Sequence, residues 1–280
     1  MSFYAEIIAN QSAGMGSIFN STIQGLADIL KFGGDIAPVI IWDLPIYSDH
    51  GFDVFDIFFE LVNFPRMDDG LDRQYIWADT REFVYPPNYS RRETLNSIFL
   101  KHIRVRPIIT RTVDTILKDL DDHFLMGVHV RNTDRRLELK ESFIEINPLI
   151  KHLLIAIGDE YKSHEKIALF VASDNIPDAD LVKKSVLESF PNIKIIEDPY
   201  AMRSPCHISV HGTHDGGIVG VSKFKKARSI LNDIFCLARC SVVVRTNSNV
   251  TASSAIINLR TRYIDVSKIY GKNMDDWVTE

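Results

Sequence analysis

From Phe124 onward the chain alternates between two textures. Short apolar runs, FLMGVHV (124–130), KIALFVASD (166–174), NIKIIED (192–198), SVVVRT (241–246) and RYIDV (262–266), are rich in β-branched residues. Between them lie longer stretches with helical spacing: NPLIKHLLIAIGDEYK (147–162), DADLVKKSVLESF (178–190), KKARSILNDIFCLARC (225–240) and NVTASSAIIN (249–258). Near-continuous apolar strands separated by helices predict a parallel sheet with helical crossovers, because parallel neighbours need a long connection and are covered on both faces. The class is therefore α/β.

The opening of the chain has the same texture once. An apolar run at 2–9 is followed by SAGMGS (12–17), then by SIFNSTIQGLADILKFGG, in which Ile18, Phe19, Ile23, Leu26, Ala27, Ile29 and Leu30 recur at helical spacing. Gly33-Gly34 is the expected stop, and APVIIWD (37–43) reads as a strand. Residues 52–100 are aromatic-rich and irregular, with Pro65, Pro86 and Pro87 marking loops. The stretch 91–120 predicts a helix broken or kinked near Pro107. The change of texture predicts a division near residue 121: a smaller α/β domain over 1–120, a Rossmann-like domain over 121–266, and a tail over 267–280 that packs back on the N-terminal domain.

Composition bounds the partners. With 280 residues, 45% hydrophobic and 25% charged, the chain can bury a sizeable core, and its net charge of −5 gives no global field for nucleic acid. Cys206, Cys236 and Cys240 cannot all pair and lack zinc-knuckle spacing, so they read as reduced thiols. MSFYAEIIANQ has no basic leader region, and no run approaches the roughly 20 apolar residues of a membrane span. The expectation is a cytoplasmic protein, in a host's cytoplasm if the gene is viral. Metal motifs such as H-E-x-x-H and C-x-x-C are absent from the sequence. The three histidines of HISVHGTHDGG (207–217) read as a loop near the site, because glycines and β-branched residues oppose the helix that would align them.

In open parallel sheets ligands bind beyond the carboxyl ends of the strands. Three such ends are unusually polar here: HVRNTD (129–134), ASDN (172–175) and RTNSN (245–249). The last runs into a helix, whose unpaired first N–H groups near Asn247, Ser248 and Asn249 could cradle an anion or simply be capped. Arg131 could grip the same anion with a planar fork, or pair on the surface. Asp233, beside the apolar stripe of Ile230, Leu231, Ile234 and Leu237, is either a solvated flank or an acceptor for a base or ribose. Ser173, Asp174, His129 and Arg228 complete the set of ligand-binding candidates. The glycines of Gly14-Met15-Gly16 allow close approach of a ligand or of a facing domain, although GMG lacks the further glycine and the lysine of phosphate-binding loops.

MGVHVRNTD resembles the first motif of the α1,6-fucosyltransferases and bacterial nodulation fucosyltransferases, a strand end that grips the donor diphosphate. LFVASDN resembles the second motif, and ILNDIFCLARCSVVVRTNSNVTASSAIIN the third; GMGSIFN and FDVFDIFFE look like the acceptor-side half. The resemblance implies a GT-B fold, two Rossmann-like domains facing across a cleft. It also implies inverting transfer without an essential metal or any cofactor beyond the nucleotide-sugar co-substrate. It would place Arg131 on the β-phosphate, Ser248 and Asn249 on the diphosphate, and His129 and Asp233 beside the base or ribose. The chain departs from the pattern at Asn132, where a second arginine is usual, and at Asn249-Val250, where a Ser-Gln pair is usual. The family's downstream glutamate has no counterpart, Leu139 standing between Glu138 and Glu141. GDP-fucose is the family default, with UDP-xylose or another sugar nucleotide open. The catalytic expectation is Arg131 with Asp134 or Glu138 as base, and Glu141, Asp43 and Asp49 as further carboxylates. The acceptor is expected to be a glycan or glycoconjugate. Trp42, Tyr47, Phe52, Phe55, Tyr75 and Trp77 could stack on its sugars but are read first as core. The rival is a catalytically silent module that binds a nucleotide-sugar or glycan.

Overall fold

The structure, a computed structural model, describes residues 3–9, 14–32, 36–44, 46–48, 53–64, 75–79, 92–133, 143–205 and 222–271. β1 (Phe3–Ile8), α1 (Met15–Phe32) and β2 (Ile36–Ile41) form the expected strand–helix–strand opening. β4 (Tyr75–Asp79) joins them in a parallel sheet of order β2-β1-β4, adding a strand to a region whose sequence shows no period. α2 (Val54–Phe58) leads directly into β3 (Phe59–Leu61), which pairs antiparallel with β5 (Ile103–Val105). The stretch expected to be a helix broken or kinked near Pro107 is broken there, into α3 (Arg92–His102), the short strand β5, and α4 (Pro107–Ile116). Pro107 opens α4 rather than bending it, since proline's missing N–H costs nothing in a first turn. The partner strand β3 captures the extended residues before it.

The second half folds as its alternation predicts. β6 (Phe124–Val130), α5 (Ile146–Glu160), β7 (Ile167–Ser173), α6 (Ile176–Ser189), β8 (Lys194–Ile196), α7 (Lys223–Arg239), β9 (Val242–Arg245), α8 (Asn249–Ile257), β10 (Arg262–Asp265) and α9 (Val266–Ile269) follow in order. The five strands form one parallel sheet of order β10-β9-β6-β7-β8. The strand order reverses between β6 and β9, which is where a doubly wound sheet opens a crevice for ligands.

Side chains alternate across this sheet. Met126, Val128, Val130, Leu169, Val171 and Val244 pack with α5 and α6. On the other face Phe170, Ala172 and Val243 join a cluster with α7. Gly127 belongs to that face. A Cβ there would lie 2.8 Å from Leu237 Cδ2 and 2.9 Å from Cys240 Sγ, so its absence lets α7 sit close against the sheet. The same cluster continues through α1, β1 and β2 to Trp42 and Phe59, so the apolar core runs across the expected division near residue 121. Trp42, Tyr47 and Phe55 lie in it, as core rather than sugar platform. The described part of the C-terminal tail, through α9, packs on α5 and β9. Residues 272–280 lie outside the described residues.

Candidate functional site

The exit of β6 is held by the exit of β7. Asp174 accepts hydrogen bonds from the backbone N–H groups of Asn132 and Thr133, each at 3.3 Å, and from Thr133 Oγ1 at 2.6 Å. Asn132 donates its side-chain amide to Asp178 at 2.7 Å. Asn175 caps α6, accepting from Asp178 N–H at 2.8 Å, and its own amide donates to the Asp178 carboxylate at 2.8 Å. These bonds fix the backbone just after Arg131. They also show that Asn132, where a cation would stand by resemblance, is engaged in holding the loop.

A cleft of about 440 Å³, open to solvent, lies over this edge. Its floor is His129, Arg131, Ser173 and Asp174 from the carboxyl ends of β6 and β7. Its wall is one face of α7, with Lys226, Ser229, Ile230 and Asp233, closed by Met202 and by Val250 at the start of α8. His129 reaches the cleft because alternation along β6 turns it to the α7 side, opposite Val128 and Val130. Asp233 is half-buried, and its Oδ1 is shut off from solvent with no hydrogen-bond partner among the described residues. Burial pushes its carboxyl well above the usual carboxylate range; Arg203 opposes the shift, and the Asp198 and Asp174 charges add to it.

The third polar strand end is used differently. Arg245 is fully buried, donating to Asp265 Oδ2 at 2.5 Å and to Thr251 Oγ1 at 3.1 Å. Asp265 in turn caps α9 by accepting from Lys268 N–H at 3.2 Å. Ser248 is fully buried and caps α8, its Oγ accepting from Val250 N–H at 3.2 Å. The cap reading therefore accounts for Ser248, whose hydroxyl does not reach the cleft. Asn247 is buried, with its backbone N–H on Ser267 Oγ at 3.1 Å. Asn249 accepts through its carbonyl from Asn20 Nδ2 at 3.4 Å and from Ser253 Oγ at 2.8 Å. Neither Asn247 nor Asn249 lines the cleft. Arg228 does not line it either; its guanidinium lies 4.9 Å over the Tyr200 ring.

The glycine segment meets α8 and not the cleft. α1 begins at Met15, so Gly16 is in the helix rather than in the turn before it. A Cβ on Gly16 would lie 2.8 Å from the Asn249 carbonyl carbon and 2.9 Å from Val250 N, so close approach of the two backbones requires glycine. Met15 N–H donates to Tyr47 Oη at 3.1 Å, whereas Gly14 is partly buried with no atom within 4 Å of where a Cβ would stand. Of the two uses the sequence leaves open, ligand or facing half, the geometry is that of the facing half.

Lys226, Ser229 and Met202 line the cleft from outside the motifs, and Ile230 and Val250 line it from within the third without having been picked as candidates. The signal was present on α7: Lys226, Ile230 and Asp233 follow one helical face. Asp134, Glu138, Glu141, Asp49, Phe52, Cys206 and the loop 207–217 lie outside the described residues. Asp43 is exposed just beyond β2. Among the described residues no group of three metal-ligating side chains occurs, and no helix is long and apolar enough to cross a membrane.

No family model matches the sequence, and no curated protein matches it. Solved structures do match. The chain is similar to the NodZ alpha-1,6-fucosyltransferase soaked with GDP-fucose, with a TM-score of 0.54 and 17% identity over 92% of this chain and 93% of that one. The same enzyme co-crystallized with GDP gives a TM-score of 0.55 at 18% identity, again over 92% and 93%. The fucosyltransferase NodZ from Bradyrhizobium gives 0.54 at 17% identity, over 92% and 94%. Its fold is that of the NodZ fucosyltransferases. The fold match thus falls on the group that the three motifs resemble, and it spans both halves of the chain.

Proposed function

We propose that this protein is an inverting glycosyltransferase that moves a sugar from a nucleotide-sugar to a glycan or glycoconjugate acceptor without a metal. The carrying observation is that Arg131 and the buried carboxyl of Asp233 line one cleft at the carboxyl edge of a parallel sheet, beside the switch point. A guanidinium suits a diphosphate, and an acceptor shut off from water suits the N–H groups of a base or a ribose hydroxyl. GDP-fucose is the first donor to test, because neighbours of this fold were soaked with GDP-fucose and co-crystallized with GDP; UDP-xylose is the second. The proposal takes the two halves as the two sides of a GT-B cleft, the acceptor lying toward the N-terminal sheet, and the cytoplasm as the place of action.

In the reaction the acceptor hydroxyl attacks the anomeric carbon, its proton passes to a carboxylate, and the bond to the diphosphate breaks with the electron pair on the phosphate oxygen. Arg131 stabilises that charge as it forms, so it acts where transition-state binding counts. Asp134 and Glu138 are the favoured bases. The engagement of Asn132 and Ser248 within the fold supports the second reading, a silent nucleotide-sugar-binding module.

A thermal-shift screen of GDP-, UDP- and dTDP-sugars, with and without EDTA, tests the binding. Stabilisation by one nucleotide series, unaffected by EDTA, is the expected result; no shift with any of them overturns the reading. Donor hydrolysis in the absence of acceptor then separates the enzyme from the module.

A further inference from the structure

The first turn of α6 departs from an ordinary helix start. Asn175 caps it, and three residues on stands an acid, Asp178. An acidic side chain at that place ordinarily reaches back to the N–H of the capping residue. Here that N–H donates instead to Ser173 Oγ at 3.2 Å. The Asp178 carboxyl is buried, and its Oδ2 accepts from two side-chain amides, that of Asn175 at 2.8 Å and that of Asn132 at 2.7 Å. The first bond is local. The second spans 46 residues and ends beside Arg131.

Breaking that second bond is costly, because a buried carboxyl is destabilising when its hydrogen bonds are lost. It also complements the hold of Asp174. Asp174 takes the backbone N–H groups of Asn132 and Thr133, whereas Asp178 takes the side chain of Asn132. Residue 132 is thus tied by its backbone and by its side chain, to two different carboxyls of the β7–α6 junction. Arg131 lines the cleft one residue earlier, whereas neither Asn132 nor Asp178 lines it. A guanidinium grips a diphosphate as a planar fork, so its strength depends on direction. A shift of about 1 Å in the backbone that carries it forfeits much of an oriented contact.

We propose that Asp178, through Asn132, is a positioning residue for the donor diphosphate: it aims Arg131 and touches no ligand itself. The proposal rests on the nucleotide-sugar reading above and adds a residue that lies outside all three motifs.

Calorimetric titration of the full chain with GDP and guanosine, and with UDP and uridine, tests it by double-mutant cycles. Asp178→Ala is expected to weaken the diphosphate about 3- to 30-fold and to leave the nucleoside unchanged. Asn132→Ala removes the same bond from its other end, so its loss should be similar and should not add to that of Asp178→Ala. Asp178→Asn keeps an oxygen where both amides donate and should restore most of the affinity. With Arg131→Ala in place, Asp178→Ala should weaken the diphosphate by less than about twofold more. An undiminished loss in that background overturns the proposal. So does equal weakening of nucleoside and diphosphate, an unchanged diphosphate affinity, or a loss with Asp178→Asn as large as with Asp178→Ala. If the unaltered protein binds neither series, the nucleotide-sugar reading itself falls and takes the role of Asp178 with it. Should Asp178→Ala not fold, Asn132→Ala leaves the cap of α6 in place and carries the same expectations, alone and with Arg131→Ala.

Discussion

Two strand ends of the same sheet look alike in sequence and are put to opposite uses. The exits of β6 and β7 turn Arg131, Ser173 and Asp174 into an open cleft. The exit of β9 turns Arg245 and Ser248 inward, where both are fully buried and bonded within the fold. A charged residue after an apolar strand therefore says that something polar is met there, not whether it is a ligand or another part of the chain. The deciding quantity is what else lies buried beside it. Asp265 and Thr251 meet Arg245, whereas the Arg131 end faces the half-buried Asp233 wall.

The contrast can be broken most forcefully at Arg245. Arg245→Ala leaves the Asp265 carboxylate buried beside an empty space, and the expected loss is about 3–5 kcal/mol in chemical denaturation. An unchanged unfolding midpoint would remove the structural half of the comparison. Arg131→Ala should do the reverse: transfer falls by about 10²–10³, while stability moves by no more than about 0.5 kcal/mol. Turnover at the unaltered rate would refute the role of Arg131. At Ser248 the two uses can be compared within one residue. Ser248→Ala loses a helix cap, about 1 kcal/mol, and nucleotide affinity should stay as it was; a tenfold loss of affinity at intact stability would return Ser248 to the ligand.

The smallest effect is expected at Asp233, and its sign follows from the raised carboxyl. Below the ordinary value of 3.8 the group is protonated in both folded and unfolded chains, and nothing is lost. As pH rises past that value the unfolded chain releases its proton first, so folding stability declines until the folded group's own raised value is passed. Asp233→Asn removes this decline. Thermal unfolding at neutral pH should rise by a few degrees and its dependence on pH flatten, while nucleotide affinity falls. A variant less stable than the parent at neutral pH would show that the carboxylate is satisfied in the fold.

Much of the second half was legible because its signals are local and redundant. FLMGVHV is a strand by composition and by period, and it forms β6 over the same seven residues, Phe124–Val130. NVTASSAIIN starts its helix at Asn249 because Ser248 caps it. The first half was less legible. The break near Pro107 was legible but the strand within it was not, since the antiparallel pairing of Phe59–Leu61 with Ile103–Val105 is a contact between segments over forty residues apart, and no local pattern announces it. Gly16 looked like ligand-binding backbone or a close approach to the facing half, and only the position of Asn249 chose between them. Lys226 went unremarked, because a lysine on a helix is ordinarily solvated and its burial depends on what packs opposite.

The sequence by itself determined the α/β alternation, the polar strand ends and the motif likeness, all properties of residues near one another along the chain. The tertiary structure alone decided which of those polar ends is open, that Arg245 and Ser248 serve the fold, and that Lys226 joins Arg131 and Asp233 at one cleft. The physical reason is that burial and hydrogen bonding are relations between distant segments: the same arginine is a ligand's partner or a carboxylate's according to what the fold sets beside it.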